Sequence, residues 1–296
     1  GVLMAQIAPT GLGISGQSSA VHFNGWNWQD ASVKADEGVF LTWPNRYNST
    51  GWWAEPSKSK VNKTYGEQTQ TIKDYFSEAQ AYSKDSAQRQ KNLRFEAMRG
   101  VYNGSKRLYV RVNWAKDILD VVQFIRSNNI KKATIVGGAE AHLVTTELRE
   151  NNIAVIIDRV HKLPVHEDSP IDEPFKMAAT LVKEGVSIAF ATSGGMEAMI
   201  SRNLPFQVGT AVHYGLDYET AIQSITQTPA TLMGIDDVFG TLESGKSATL
   251  FICEGDALDM TGNKIITAFI KGQMIDLTNH QTQLNERFAK KLGVDP

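Results

Sequence analysis

The sequence predicts an α/β protein in which helices cover a parallel sheet, followed by a smaller β layer. Between residues 108 and 191, short apolar strands alternate with amphipathic helices, which is the pattern of βαβ units. After Gly240 the chain changes to short strands separated by turns. The 296 residues suffice for one α/β barrel, which takes about 250 residues, together with an appendage.

The first sixty residues are rich in glycine, serine and tryptophan, which favours long loops. Residues 38–44 are apolar and end at Pro44, so they predict one short strand there. The tryptophans could stack on a ligand or a partner, but packing of the loops under their rings is the favoured interpretation. They are Trp26, Trp28, Trp43, Trp52 and Trp53. Residues 67–101 then predict one long helical segment with weak amphipathicity.

The regular region predicts strands and helices in alternation. The strands lie at 108–112, 133–136, 154–157 and 187–191, and the helices at 115–127, 139–151, 175–184, 204–215 and 217–233. Apolar side chains recur in the helices at three- and four-residue steps, as helices that cover a sheet face require. The last part predicts a small β layer and a polar C-terminal helix. The strands of that layer lie at 248–252, 265–270 and 273–276.

Composition argues against several classes of partner and site. The 30 basic and 32 acidic residues give a net charge of −2 without any polybasic block, so nucleic acid and anionic membrane surfaces are poor partners. No apolar run reaches the roughly 18 residues of a membrane-spanning helix. The single cysteine, Cys253, excludes an intrachain disulfide and any Cys-x-x-Cys motif.

Four segments together carry a family resemblance. Residues 203–236 run from Asn-Leu-Pro-Phe to Met-Gly-Ile-Asp, and residues 240–258 begin Gly-Thr-Leu-Glu-Ser-Gly-Lys-Ser-Ala-Thr-Leu. Gly-Gly-Ala-Glu-Ala at 137–141 and Ile-Ser-Gly-Gln-Ser at 14–18 add to them. The sequence resembles the amidohydrolase superfamily, most closely its imidazolonepropionase-like branch. In that family the first two segments form the last barrel helices and the return of the chain into a β-sandwich.

The resemblance implies a partial (β/α)8 barrel of the TIM type with its active site at the carboxyl ends of the strands. It places the barrel, without its first strand, at 1–236, the C-terminal part of a β-sandwich at 237–278 and a C-terminal helix at 279–296. We expect a missing N-terminal segment or a partner chain to close the barrel, because an open sheet edge leaves backbone groups unpaired. A periplasmic or exported location is expected from the resemblance alone, and a homo- or hetero-oligomer stays open.

The family's metal ligands have no equivalents at three strand ends. By resemblance, a histidine is expected at each of two middle strands and an aspartate at the last, and these positions fall at Arg111, Gly137 and Ser193. Arginine repels a cation, glycine has no side chain and neutral serine is a poor ligand. We therefore predict no metal cofactor. Zinc is expected only if the missing segment, which would carry a His-x-His pair, and an unusual site supply the ligands.

Two other segments contain candidate functional residues. His161 and His166 lie in a charged, proline-bounded loop and are a weak alternative metal site. A spacing of five residues does not place the two side chains on one face of a helix. The favoured interpretation of this loop is a solvated lid. The glycine-rich residues 11–19 could present amides to an anion but lack the Gly-Lys-Ser/Thr ending of a phosphate loop. By resemblance they form a loop at the active-site face, which makes Ser15 a candidate for substrate contact.

The predicted substrate-binding mouth combines these candidates. Its residues are Arg111, Asn113, Gly137, Ser193, Ser15 and His142. Arg111 at a strand end must pair with an acid or bind an anionic ligand, because an unpaired buried charge is unfavourable. Ser193 lacks a Gly-x-Ser-x-Gly elbow and an assignable base, which favours a loop serine over a nucleophile. His142, predicted inside a helix, is more readily a surface or supporting residue than a ligand.

Two functions follow from these observations. The resemblance implies a hydrolase of cyclic amide or peptide-like C–N bonds. The alternative is a metal-free, non-catalytic homologue that binds a small-molecule ligand or acts as a partner subunit. The three positions without a metal ligand favour the alternative, and fold alone does not decide between them.

Overall fold

The computed structural model describes residues 2–50, 58–85, 90–193 and 197–294. Its main feature is a curled, mixed sheet of seven strands that forms a half-barrel. The strands in the described ranges are β1 (Met4–Ile7), β2 (Gly13–His22), β3 (Ser32–Thr42), β4 (Tyr47–Thr50), β5 (Lys58–Val61), β6 (Arg107–Val112), β7 (Ala133–Gly137), β8 (Ala154–Ile157), β9 (Ile188–Phe190), β10 (Leu250–Glu254), β11 (Lys264–Ile270) and β12 (Gln273–Met274). The half-barrel has the order β1-β2-β3-β6-β7-β8-β9, antiparallel up to β3 and parallel from β3 onward.

Helices follow most of the parallel strands. They are α1 (Trp28–Ala31), α2 (Tyr65–Lys84), α3 (Leu93–Asn103), α4 (Ala115–Ser127), α5 (Thr145–Glu150), α6 (Glu173–Lys183), α7 (Leu204–His213), α8 (Tyr218–Gln223), α9 (Gln227–Met233) and α10 (His280–Leu292). Short 3-10 helices cover Ala141–Leu143 and Glu197–Asn203. Among the described residues, no helix is long and apolar enough to cross a membrane. The predicted α/β half-barrel with a separate antiparallel sheet is confirmed.

The two faces of the half-barrel have different cores. Successive side chains of a strand point to opposite faces. In β6, Val110 packs into the large core under the helices, whereas Tyr109 belongs to a small cluster on the concave face. Phe40 of β3 stacks on Tyr109 there with ring centroids 4.8 Å apart. The same alternation directs Arg111 to the concave face, two residues beyond Tyr109.

The N-terminal region departs from the loops that its composition predicts. Residues 4–42 form β1, β2 and a β3 that begins six residues before the predicted strand. The glycine-rich segment lies largely in β2, so the prediction of a loop around Ser15 is wrong. Small polar residues hide the strand period here, because Ser18 is buried through a hydrogen bond to Glu37 rather than through apolar packing.

Three long helical predictions are divided in the structure. The segment 67–101 yields α2 and α3, and 139–151 yields a 3-10 turn and α5. The segment 217–233 becomes α8 and α9. Between α8 and α9, the hydroxyls of Ser224 and Thr226 donate to the carbonyls of Ala221 and Ile222. Such bonds compete with the helical pattern, which explains the break.

The C-terminal strands form a separate sheet of the order β10-β11-β12. Lys271 and Gly272 join β11 to β12 with φ angles of 51° and 79°, the backbone of a tight hairpin turn. The small β layer predicted after Gly240 is therefore confirmed. The predicted C-terminal helix is α10, which Asn279 and Thr282 cap reciprocally at its start.

Candidate functional site: the mouth of the half-barrel

Four neighbouring parallel strands end at one edge of the half-barrel. Asn113 follows β6, Gly137 ends β7, Asp158 follows β8 and Ser193 follows β9. The Ser193 hydroxyl donates to Asp158 Oδ1 at 2.6 Å. A Cβ added to Gly137 would lie 2.5 Å from Asn113 Oδ1 and 3.4 Å from Asp158 Oδ2. These four residues, with Arg111, are called the mouth cluster below.

Arg111 is held over the concave face by contacts on two sides. Its guanidinium carbon lies 4.5 Å from the centroid of the Phe40 ring, and its Nη1 donates to the Pro9 carbonyl at 2.8 Å. Burial lowers the pKa of Arg111, and the charge of Asp158 acts in the opposite direction. Guanidinium groups stay protonated in proteins. Arg111 therefore brings a permanent positive charge to a half-buried position.

Gly137 occupies a position that leaves no room for a ligand side chain. Its φ of +95° belongs to the left-handed region, which non-glycine residues rarely adopt. The close approach of Asn113 Oδ1 fills the space where a Cβ would stand. A histidine at this strand end would need both the backbone and Asn113 to move.

Asp158 and Lys162 are parts of the site that sequence reasoning missed. Burial lowers the pKa of Lys162, while Asp158 and Glu173 raise it and Arg159 lowers it further. The available signal was an acidic residue directly after a fully buried strand, β8. Such a residue reaches the carboxyl edge of the sheet together with the residues that follow the neighbouring strands.

The two loop histidines have separate partners. His161 Nε2 lies 2.7 Å from Thr210 Oγ1, and His166 Nε2 lies 2.5 Å from Glu140 Oε1. The hydrogen bond to Glu140 is the main cause that raises the pKa of His166. Within the described ranges, no group of three or more His, Cys, Asp and Glu side chains could hold a metal ion. The structure gives the weak alternative site at His161 and His166 no support.

The contacts described for Ser15 and His142 are with residues outside the mouth cluster. The Ser15 hydroxyl, near the start of β2, donates to the carbonyl of Gly11, which precedes the strand, at 3.0 Å. His142 lies in a 3-10 helix rather than in the predicted α-helix, and its Nε2 is 3.7 Å from Glu173 Oε1. Its Nδ1 is buried without a hydrogen-bond partner among the described residues. A role of either residue in substrate binding stays a prediction.

The tryptophans divide into buried and exposed residues. Trp43 is 2% exposed, packs against Phe124 and donates from Nε1 to Tyr65 Oη at 3.1 Å. Trp26 and Trp28 are 99% and 72% exposed, so the packing interpretation is right for Trp43 and wrong for these two. The predictions for Trp52 and Trp53 fall outside the described residues.

A buried carboxyl, Glu37, lies on the concave face away from the mouth. It accepts hydrogen bonds from Ser18 Oγ at 2.6 Å, Gln6 Nε2 at 2.5 Å and Tyr109 Oη at 3.0 Å. Burial raises the pKa of Glu37, and these donors act against the shift. Because its partners come from β1, β2 and β6, the network ties the antiparallel strands to the parallel part.

Comparisons with known proteins agree with this architecture. The model of the amidohydrolase family matches residues 68–275. The imidazolonepropionase of Flavobacterium psychrophilum is 25% identical in a 164-residue alignment that covers 50% of this chain and 40% of that protein. The chain thus spans less than half of this relative. The matches confirm the resemblance drawn from the sequence.

Solved structures show the same fold. An amidohydrolase from Thermotoga maritima superposes with a TM-score of 0.75 at 22% identity, over 93% of this chain and 72% of that one. A second amidohydrolase superposes with a TM-score of 0.51 at 16% identity, over 84% of this chain and 57% of that one. At these identities the likeness concerns the fold alone.

Proposed function

The chain belongs to the amidohydrolase family, and we propose that the mouth of its half-barrel binds a small anionic ligand without a metal ion. The observation that carries the proposal is the Arg111 guanidinium, which is half-buried on the concave face. Within the described residues, it donates to the uncharged Pro9 carbonyl and stacks on Phe40, so further N–H groups of the guanidinium can bind a ligand. A carboxylate or phosphate group would accept from them and balance the half-buried charge.

The other groups of the mouth suit the uncharged part of such a ligand. Asn113 carries an amide that donates and accepts, and the Ser193 hydroxyl faces Asp158. The planar guanidinium of Arg111 can bind a carboxylate with two parallel hydrogen bonds. Its stacking on Phe40 restricts the plane of the guanidinium, so less freedom is lost when a ligand binds.

Members of the family usually use a metal, but the side chains at this mouth do not fit one. Arg111 brings a positive charge to the mouth, which repels a cation, and Gly137 has Asn113 Oδ1 in the space that a ligand side chain would need. Ser193 is already bonded to Asp158.

Hydrolysis of a C–N bond is the second candidate, which the family and the imidazolonepropionase relative favour. It would require a group that activates water or Ser193. Asp158 accepts a hydrogen bond from Ser193, but an ionised carboxylate is a weak base for a serine hydroxyl. The donor set favours ligand binding over hydrolysis.

The short β9 edge supports a further part of the proposal. β9 has only three residues and is, in the described part of the chain, the last strand of the half-barrel on its side. The Phe190 amide already donates to the Ser224 carbonyl at 3.2 Å, and the other backbone groups of such an edge favour pairing with another chain segment. We propose that another segment or a partner chain pairs with this edge in the functional protein.

Titration calorimetry at low ionic strength tests the anion site, with succinate, N-acetylglycine and inorganic phosphate as probes. We expect succinate to bind with one site per chain, and the other two anions show whether the site prefers a carboxylate or a phosphate. The substitution Arg111→Gln should weaken succinate binding about tenfold or more, because a hydrogen bond to a charged group contributes about 1.5–3 kcal/mol. Arg126→Gln removes the same charge from an exposed position of α4 and should leave the affinity unchanged. Absence of binding by all three probes, or equal losses in both variants, would contradict the proposal.

A further inference from the structure

We propose that residues 158–172 form a strap that closes over the mouth, and that the contact between His166 and Glu140 is its pH-sensitive catch. The inference rests on the proposed function, because it concerns access to the same site. The strap starts at Asp158 of the mouth cluster and leads into α6.

The first half of the strap is fixed to α7. The Val160 amide donates to Gln207 Oε1 at 3.0 Å, and His161 Nε2 lies 2.7 Å from Thr210 Oγ1. Val160 is buried, whereas the side chain of Leu163 is 77% exposed. The strap is therefore anchored near β8 and turns outward after His161.

The second half crosses to the loops that follow β6 and β7. His166 reaches Glu140, whose own amide donates to the Asn113 carbonyl at 2.9 Å. The other oxygen of Glu140 accepts from the Ala115 amide at 2.7 Å. The Trp114 ring lies beside His166 with centroids 6.0 Å apart. The tip of the strap thus rests next to Asn113, on the far side of the mouth from its anchor.

The two partners of the catch are held to different degrees. The Glu140 side chain is 11% exposed and accepts from the Ala115 amide at the start of α4, whereas the His166 side chain is 51% exposed. Loss of this contact would free the second half of the strap and leave Glu140 in place. The catch can therefore open without disturbing the fold.

Three carboxylates face His166. They are Glu140, Asp168 of the strap and Glu173 of α6, and the hydrogen bond to Glu140 is the largest cause that raises the pKa of His166. Glu173 also faces His142 at 3.7 Å and acts on Lys162. A raised pKa means that the charged contact is complete below the ordinary histidine pKa. It is lost as the pH rises through the raised value. The catch should hold in acid and weaken in base.

Amide hydrogen exchange of peptides from residues 158–172 tests the catch without any ligand. The exchange is measured by mass spectrometry on the full protein from about pH 5 to 8, where histidine changes its charge, and corrected for the intrinsic rate. We expect protection to fall about two- to fivefold with rising pH, the range that an exposed ion pair can produce. His166→Gln, which cannot become charged, should remove this dependence.

Two control variants separate the catch from the other histidines nearby. His161→Gln changes the anchor, whose partner Thr210 carries no charge, so protection should keep its dependence on pH. His142→Gln removes the other imidazole that faces Glu173 and should also keep it. Protection that does not change with pH, or that changes equally in His166→Gln, would overturn the catch.

The dissociation rate of succinate then links the strap to binding. We expect it to rise with pH in the natural chain and to stay constant in His166→Gln. If succinate binds but neither its dissociation rate nor the amide protection of residues 158–172 depends on pH, the catch is wrong and the anion site stands. If protection depends on His166 but none of the three anions binds, the proposed function is wrong and the catch stands.

Discussion

The substitution Gly137→Ala tests whether the end of β7 can hold any side chain. The backbone there has a φ of +95°, and the new Cβ would stand 2.5 Å from Asn113 Oδ1 and 3.4 Å from Asp158 Oδ2. A distance of 3.4 Å is an ordinary contact. The expected loss of stability therefore comes from the backbone conformation and from the approach to the Asn113 amide.

Two contributions give the expected magnitude. A left-handed conformation costs a non-glycine residue roughly 1–2 kcal/mol. Asn113 must also turn away from the new methyl group and lose its long, 3.4 Å hydrogen bond from the Ala139 amide. That bond is worth at most about 0.5–1.5 kcal/mol. We expect the free energy of unfolding to fall by about 1–3 kcal/mol.

Urea unfolding of the purified variants measures this change. Gly66→Ala is the matched control, because Gly66 lies in α2 with nothing within 4 Å of an added Cβ, and alanine there should stabilise the chain by up to about 1 kcal/mol. In an Asn113→Ala background, Gly137→Ala should cost less, since only the backbone contribution remains. A Gly137→Ala variant within about 0.5 kcal/mol of the natural chain would refute the reasoning.

Three further predictions concern the concave face and the tryptophans. Burial raises the pKa of Glu37, so its contribution to stability is complete below its ordinary pKa and is lost as the pH rises through the raised value; Glu37→Gln should flatten the pH dependence seen in urea unfolding. Tyr109→Phe removes the donor to Glu37 and to the Leu232 carbonyl and should cost about 1–3 kcal/mol by the same method. Thermal unfolding should show a loss of about 3–5 kcal/mol for Trp43→Ala, but a change within about 0.5 kcal/mol for the exposed Trp26→Ala.

The parallel part of the fold could be predicted because its signals are local. α4 spans Ala115–Ser127, as its apolar period predicts, and β8 spans Ala154–Ile157, as its continuous apolar run predicts. β2 could not be found in this way. Its buried positions include Ser18, whose burial depends on Glu37, a residue on another strand. Such cross-strand hydrogen bonds leave no period in the sequence.

The site could be predicted only in part for a similar reason. Family motifs led to Arg111, Gly137 and Ser193, which the structure places at neighbouring strand ends. Asp158 was missed because its hydrogen bond joins residues 35 positions apart. The two loop histidines, His161 and His166, do not lie on a helix, so their spacing could not predict their partners. In the structure they contact Thr210 and Glu140 and not one another.

The zinc content and the succinate affinity of the full protein, expressed without a histidine tag, test the central claim most directly. Both are measured before and after treatment with a chelator and again after zinc is added. We predict less than stoichiometric zinc throughout and an affinity that the chelator does not change. About one or more zinc ions per chain, with succinate binding that disappears on chelation and returns with zinc, would contradict a metal-free anion site at the mouth.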